Sequence, residues 1–276
     1  MDSPAIVIVD AELARRLEVT EGRANAEFVE TRLQLEPDAT STWRDFDGTL
    51  AMFDGIGSPL TQTFGLGTNG NVSDEGLQAI EDFFRQRSAD TFHEVCPIGD
   101  ARLPGLLYER GYRPIEQSGV LFRQLGAGVP LPQPSNPRIQ ARAIDEAEAD
   151  LWARVAARGW ATEGDFGDLI FQLSKISARR APELTFWAEL DGQPIATGAM
   201  FVHDRVALLA GASTVPESRK CGAQRALLRQ RLQVATDMGC TLAMMAALPG
   251  SASQRNAQRQ GFHIAYTRTK WQKPLR

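Results

Sequence analysis

The sequence predicts an α/β protein of two tandem units, each a mixed, mostly antiparallel twisted sheet flanked by helices. Three observations carry that expectation. A Pro-rich connector, GAGVPLPQPSNPRIQ from Gly126 to Gln140, divides the 276 residues nearly in half and excludes regular helix. On its far side Leu184–Leu190 and Pro194–Val202 flank an Asp191-Gly192-Gln193 turn, the signature of a hairpin. LLYERGYRPIEQSGVLFRQL, ending at Leu125, follows the same design as NAQRQGFHIAYTRTKWQKPL: helix end, Gly-aromatic, closing strand. That recurrence reads as a duplication, and the division is 1–125, a linker over 126–140, and 141–276.

In the first half, Ala5–Val9 reads as an opening strand. Helical patterns cover Ala11–Glu18 and Ala24–Leu33, and Thr49–Phe53 and Pro59–Gly67 are strand candidates. Ser73–Arg87 is a helix with an N-cap Ser, an acidic first turn, and Leu77, Ile80 and Phe84 on one face. Phe92–Ile98 can follow as a strand. The second half gives helices over Asp145–Arg158 and Leu169–Ile176, then the hairpin, then a third strand over Val206–Val215. Beyond Gly222, Leu228, Leu232 and Ala235 recur at helical spacing until Gly239. Thr241–Leu248 is apolar without alternation, as in a strand buried on both faces. A short helix ending at Gly261 and an alternating strand complete the order ααβββαβαβ.

Composition excludes several functions. Hydrophobic residues at 43% supply a core, and a net charge of −4 gives no whole-protein attraction for nucleic acid. Cys96, Cys221 and Cys240 form no CxxC pair and suit a reducing cytoplasm. No run approaches the length of a membrane span. His93, His203 and His263 are too dispersed for a zinc site. No P-loop pattern occurs; Gly65-Leu66-Gly67-Thr68-Asn69-Gly70 does match G-x-G-x-x-G, with Asp90 about twenty residues on. The polar run before it and the delayed helix after it make it a turn-rich strand end instead.

VPESRKCGAQRALL, Val215 to Leu228, joins an apolar strand to a basic-faced helix, so free backbone N–H groups converge at a positive helix end. Gly222 lets a ligand approach the backbone, and Arg219, Lys220 and Arg225 add charge suited to phosphoryl oxygens. Taken alone, the loop is either an anion site or an ordinary strand-to-helix junction. Its setting resembles the GNAT acyltransferase superfamily, whose pyrophosphate loop reads Q/R-x-x-G-x-G/A, here Arg219-Lys220-Cys221-Gly222-Ala223-Gln224. The likeness covers roughly Ile139 to Arg276 and departs at Gln224, which can point outward or donate to the ligand.

The resemblance implies two GNAT-like domains, the first degenerate because its equivalent loop lacks Arg and Lys. It implies acetyl-CoA as cosubstrate and acyl transfer to a primary amine, on a small molecule or a peptide, by direct attack. Ser213, Thr214 and Val215 match the positions that hold the pantetheine arm, and Ser253 keeps a small polar position. The family's usual acid, a tyrosine, is replaced by Ala257, its frequent asparagine by Gly250, and the strand VALLAGAST offers no glutamate base. Asn256 and Tyr266 are the substitute catalytic candidates. Trp152, Trp160, Phe166 and Phe171 fall where the family builds its acceptor cleft, with Glu163, Asp165 and Asp168 nearby. A monomer or homodimer without nucleic-acid or membrane partners is expected. A non-catalytic acyl-CoA-binding or sensing protein is the alternative, and a structural partner without a cofactor the third.

Overall fold

The computed structural model describes residues 8–126, 128–133, 136–160, 167–180 and 184–275. The first half runs α1 (Ala11–Leu35), β1 (Thr42–Phe46), β2 (Thr49–Phe53), β3 (Gln62–Phe64), α2 (Asp74–Arg85), β4 (Thr91–Val95), α3 (Leu103–Glu109) and β5 (Arg113–Gln124). The second runs β6 (Ile139–Ala143), α4 (Ala149–Trp160), α5 (Gly167–Ser177), β7 (Leu184–Leu190), β8 (Gln193–His203), β9 (Val206–Thr214), α6 (Ala223–Asp237), β10 (Leu242–Ala247), α7 (Ala252–Arg259) and β11 (His263–Lys273). The matched series β1-β2-β3-α2-β4-α3-β5 and β7-β8-β9-α6-β10-α7-β11 have one topology.

Three details differ from the sequence expectations. The two helices expected before Leu33 are one helix of 25 residues, α1. Gly22 does not break it, because that glycine is there for packing: a Cβ would fall 2.9 Å from the Leu50 side chain. Ile8 and Val9 are not in a strand, and the rest of the opening run lies outside the described residues. Two strands were not expected: β1, which pairs antiparallel with β2, and β6, which begins at Ile139 directly behind the prolines and pairs antiparallel with β7.

The mixed, mostly antiparallel sheet is observed, but the two sheets expected are one, ordered β1-β2-β3-β4-β11-β5-β10-β9-β8-β7-β6. Only β3/β4 and β9/β10 are parallel. The closing strands are exchanged. β5, from the first half, pairs with β10, while β11, from the second, pairs with β4; β5 and β11 lie antiparallel at the centre.

Period-two alternation assigns the faces of the sheet. On β10, Leu242 and Met244 join Ala14, Leu17, Phe201 and Tyr266 in the cluster under α1. Ala243 and Ala247 join Leu227, Leu228, Leu232, Ala257 and Phe262 under α6 and α7. A third cluster, with Leu77, Phe84 and Tyr112, packs α2 and α3 onto the other end. Ser73 caps α2 as the sequence suggests, accepting from Gly76 N at 3.0 Å.

Candidate active site

The second half opens where β9 and β10 part. They pair only at Leu242↔Val206, Ala243↔Ala207 and Met244↔Leu208, and β9 continues to Thr214 without that partner. A β-bulge drives the divergence: Thr197 pairs Ser213 and Ala199 pairs Ala210, so two residues of β9 face one of β8, and Gly211 takes φ 60°. Arg231 of α6 is 3% exposed and fastens the bulge, its Nη1 donating to Ala199 O at 3.1 Å and Ala210 O at 3.3 Å. A Cβ on Gly198 would lie 3.0 Å from that guanidinium, so the glycine makes its room. Burial lowers the Arg231 pKa to about 10.

The end of β9 is tied down from three sides. Ser213 Oγ pairs with Thr197 Oγ1 at 2.8 Å and donates to Ala156 O on α4. Gly159, near the end of α4, packs so tightly that a Cβ would stand 2.3 Å from Ser213 Oγ and 3.0 Å from Thr214 N. Gln224 turns back from α6 and donates to Ser213 O at 2.8 Å and Thr214 Oγ1 at 2.9 Å. It neither points outward nor crowds the loop; it fixes the strand end to the helix.

Between them the loop turns through Pro216–Ser218 into exposed Arg219 and Lys220, then Cys221, whose thiol donates to Ser218 O. Lys220 has φ 66° and Gly222, the α6 N-cap, φ 101°. No side chain caps α6; Arg225 N already donates to Gly222 O at 3.1 Å, and the amides of Ala223 and Gln224 before it keep their hydrogen-bonding capacity for another acceptor. Arg219 Nη2 donates to Gly159 O at 3.0 Å, and Arg225 Nε is buried without a partner among the described residues. Val215 and Ala223 are buried and hold the junction to the core.

Beside the parted strands lies a cleft of about 400 Å³. Ala210 and Gly211 of β9 and Ala246 of β10 form its inner end; Trp152, Trp160, Ile170 and Leu173 of α4 and α5 form one wall. The opposite wall comes from α1: Glu21, Asn25 and Phe28. That contribution is invisible to a local reading, because α1 and β9 are almost two hundred residues apart. Of the aromatics expected here, Trp152 is 1% exposed and its indole is spent on Phe186 O at 2.7 Å. Trp160 lines the cleft, Phe171 stacks with Lys175, and Asp168 is exposed. Glu163, Asp165 and Phe166 lie outside the described residues.

The catalytic candidates are not brought together. α7 carries half-buried Asn256 and exposed Ser253 and packs through Ala257 on the α6 face. Tyr266 is buried on the α1 face, its hydroxyl donating to Glu18 Oε1 at 2.8 Å. Glu18 and Glu21 went unnoticed in the sequence because helical periodicity places them on α1 without saying what α1 covers.

Residues 146–262 match the family model described as the acetyltransferase (GNAT) family. The chain carries a GNAT-family domain. The match begins just before α4 and ends just before β11. No curated protein sequence matches the chain. Solved structures are similar over most of its length. A GCN5-related N-acetyltransferase from Kribbella flavida superposes with a TM-score of 0.62 at 21% identity, covering 91% of this chain and 95% of that one. A tandem GNAT protein from the clavulanic acid biosynthesis pathway gives 0.59 at 12%, covering 97% and 96%. A GCN5-related N-acetyltransferase from Sphaerobacter thermophilus gives 0.57 at 16%, covering 78% and 72%. At these identities the likeness establishes the fold, which is the GNAT fold in tandem. Among the described residues no group of His, Cys, Asp or Glu could hold a metal ion, and no helix is long and apolar enough to cross a membrane.

Proposed function

We propose that the protein is an N-acyltransferase that moves an acetyl group from acetyl-CoA to a primary amine by direct attack. The observation that carries this reading is the uncapped N-terminus of α6, with Lys220 and Gly222 at positive φ, set beside strands that part into a cleft. The loop residues Arg219 to Arg225 would hold the pyrophosphate: backbone amides face the anion and the arginines supply charge. The end of β9 where it has parted from β10, Ser213 and Thr214 with the following Val215, would hold the pantetheine arm, with Ser253 of α7 beside it. Acetyl-CoA supplies the activated thioester; the chain's own task is to orient the amine and manage its protons. The cleft walls of Phe28, Trp160, Ile170 and Leu173 favour an amine with an apolar body over a polycation.

Calorimetric titration of acetyl-CoA into the wild type and an Arg219→Ala, Gly222→Trp variant tests the reading. Micromolar binding that the variant loses supports it, since tryptophan at φ 101° fills the approach and strains the loop. Failure of the wild type to bind overturns it. A non-catalytic acyl-CoA binder is the second reading, favoured by Ala257 in the usual acid position and by the lack of a carboxylate on β9. Binding without turnover across a panel of apolar amines would select it.

A further inference from the structure

An amine that arrives as an ammonium ion must lose a proton before it can attack, and β9 carries no group to take it. The opposite wall of the cleft does. Glu21 lines the cleft from α1, and one turn earlier Glu18 lies beneath the same helix, 1% exposed. Ala246 at the inner end of the cleft, Val120 on β5 and Tyr266 on β11 are register partners on three adjacent strands. Such partners share a face and strands repeat about every 4.8 Å, so Tyr266 stands about 10 Å from the cleft end, and its hydroxyl donates to Glu18 Oε1 at 2.8 Å.

The charges around this point do not balance. Arg268, 3% exposed, holds Glu21 in two bonds of 2.7 and 2.8 Å, lies 3.1 Å from Glu94 and 3.6 Å from Glu18. Lys270 reaches Glu94 at 3.9 Å. Three carboxylates thus face two cations, leaving one negative charge in excess in a buried place. Glu18 Oε2 is buried with no hydrogen-bond partner among the described residues. A buried uncompensated charge is costly, and the least costly relief is one proton.

Resting on the acyltransfer reading, we propose that the first half supplies the catalytic proton acceptor of the second: Glu21 receives the ammonium at the cleft wall, and its proton comes to rest on Glu18. The ammonium N–H bond breaks, the proton joins the carboxylate cluster and neutralises it, and the electron pair stays on nitrogen. The neutral amine then forms the C–N bond as the C–S bond breaks, and the nitrogen's second proton goes to the departing thiolate. Glu21 is the residue that touches the substrate; Glu18 and Tyr266 act through it as positioning residues.

Burial lifts Glu18 to about 7 against the pull of Arg268, so the cluster is poised to exchange a proton near neutrality. The groups facing it are Glu21 on its own helix, Glu94 on β4 and the neutral Cys96 just after it, Ser118 on β5, and Tyr266, Arg268 and Lys270 on β11. Exposed Glu116 on β5 also bears on Glu94.

The test measures kcat/KM against pH with phenethylamine and acetyl-CoA for the wild type, Glu18→Gln, Glu21→Gln and Tyr266→Phe. The wild type is expected to rise to a plateau above about 7, following Glu18. Glu18→Gln, which mimics the protonated form and so keeps the fold, is expected to lose about 100-fold at neutral pH. Its acid limb should move toward the amine's own pKa, about 10. Glu21→Gln should lose activity as well with a raised KM, and Tyr266→Phe should shift the limb without abolishing turnover. Unchanged limbs and rates in both glutamine variants would overturn the proposal. Calorimetry with acetyl-CoA runs in parallel. Equal affinity in wild type and Glu18→Gln locates any loss in proton transfer, whereas no binding by the wild type overturns the acyltransfer reading itself. Infrared titration of the carboxyl stretch, free of any substrate, must show one group titrating near neutrality that Glu18→Gln removes; its absence overturns the proposal independently of activity.

Discussion

The two strand-to-helix junctions of this chain occupy equivalent places and are built oppositely. In the second half β9 and β10 part, a bulge held by Arg231 bends the strand away, and α6 begins uncapped at a glycine. In the first half β3 is only three residues long and is stitched to β4: Thr63 Oγ1 bonds His93 Nδ1 at 2.7 Å, and His93 Nε2 meets Tyr112 at 3.0 Å. There α2 is already capped by Ser73, and the intervening Gly65 and Gly67 at positive φ are fixed by hydrogen bonds, Thr68 N to Gly65 O in a turn and Asp100 N to Gly67 O across the loop. One topology therefore yields an open junction whose helix has no side-chain cap and a closed one whose helix is already capped. What differs is the side-chain cap of the helix: none among the described residues in α6, the preceding serine in α2.

The largest expected effect sharpens this contrast directly. Gly222→Trp alone should weaken acetyl-CoA binding by more than about 100-fold, while Asn71→Trp, in the exposed equivalent loop, should leave it unchanged. A loss from Asn71→Trp in calorimetry would break the assignment of the cofactor to the second half. Next comes the bulge. Arg231→Leu leaves the Ala199 and Ala210 carbonyls without their donor and should cost about 2–3 kcal/mol, read as a lower thermal midpoint by circular dichroism.

A third prediction sets two buried groups of the first half, His93 and Glu18, against each other through pH. His93 is fully buried and its pKa falls to about 3, because burial disfavours the charged ring. The unfolded chain therefore binds more protons at this site, and His93 makes stability fall as pH drops below about 6.5. Glu18 is raised from 4.5 to about 7, so its contribution is lost as pH rises through that window. Across pH 4.5 to 6.5 the two slopes oppose. Urea midpoints measured through this window should fall with pH more steeply in His93→Gln and less steeply in Glu18→Gln than in the wild type. The smallest effect concerns the cleft wall: Phe28→Ala should raise the amine KM about tenfold without changing acetyl-CoA affinity. A change in cofactor affinity instead would mean that Phe28 supports the fold and not the acceptor.

Local signals carried much of the fold. β2 has the expected limits, the cap of α2 is the one Ser73 announced, and the loop at Gly222 sits between the strand and helix that periodicity drew. What escaped was non-local. The two helical patterns, Ala11–Glu18 and Ala24–Leu33, did not show that α1 runs through Gly22, whose partner, the Leu50 side chain, is far along the chain. Arg225 and Arg231 share a basic helix, yet only the bulge across the sheet explains why Arg231 is buried. The partner of Tyr266 is Glu18, 248 residues away. No pattern near either residue encodes that pairing, so Tyr266 stood out as a candidate without its carboxylate, and the carboxylate did not stand out.

The exchanged closing strands also impose an order on synthesis. β4 is made early, but the strand that covers its edge is β11, the latest in chain order, and β10 must find β5 after a long excursion. Until β11 has left the ribosome, the first half presents an unpaired edge beside a hydrophobic cluster whose Trp271 is still missing. Such an edge is a template for wrong pairing, and its closure waits on a contact of high sequence separation. Each half completes its sheet only with a strand of the other, so both stay open until β11 is made, and that interval is the stage at which a holdase chaperone would matter most.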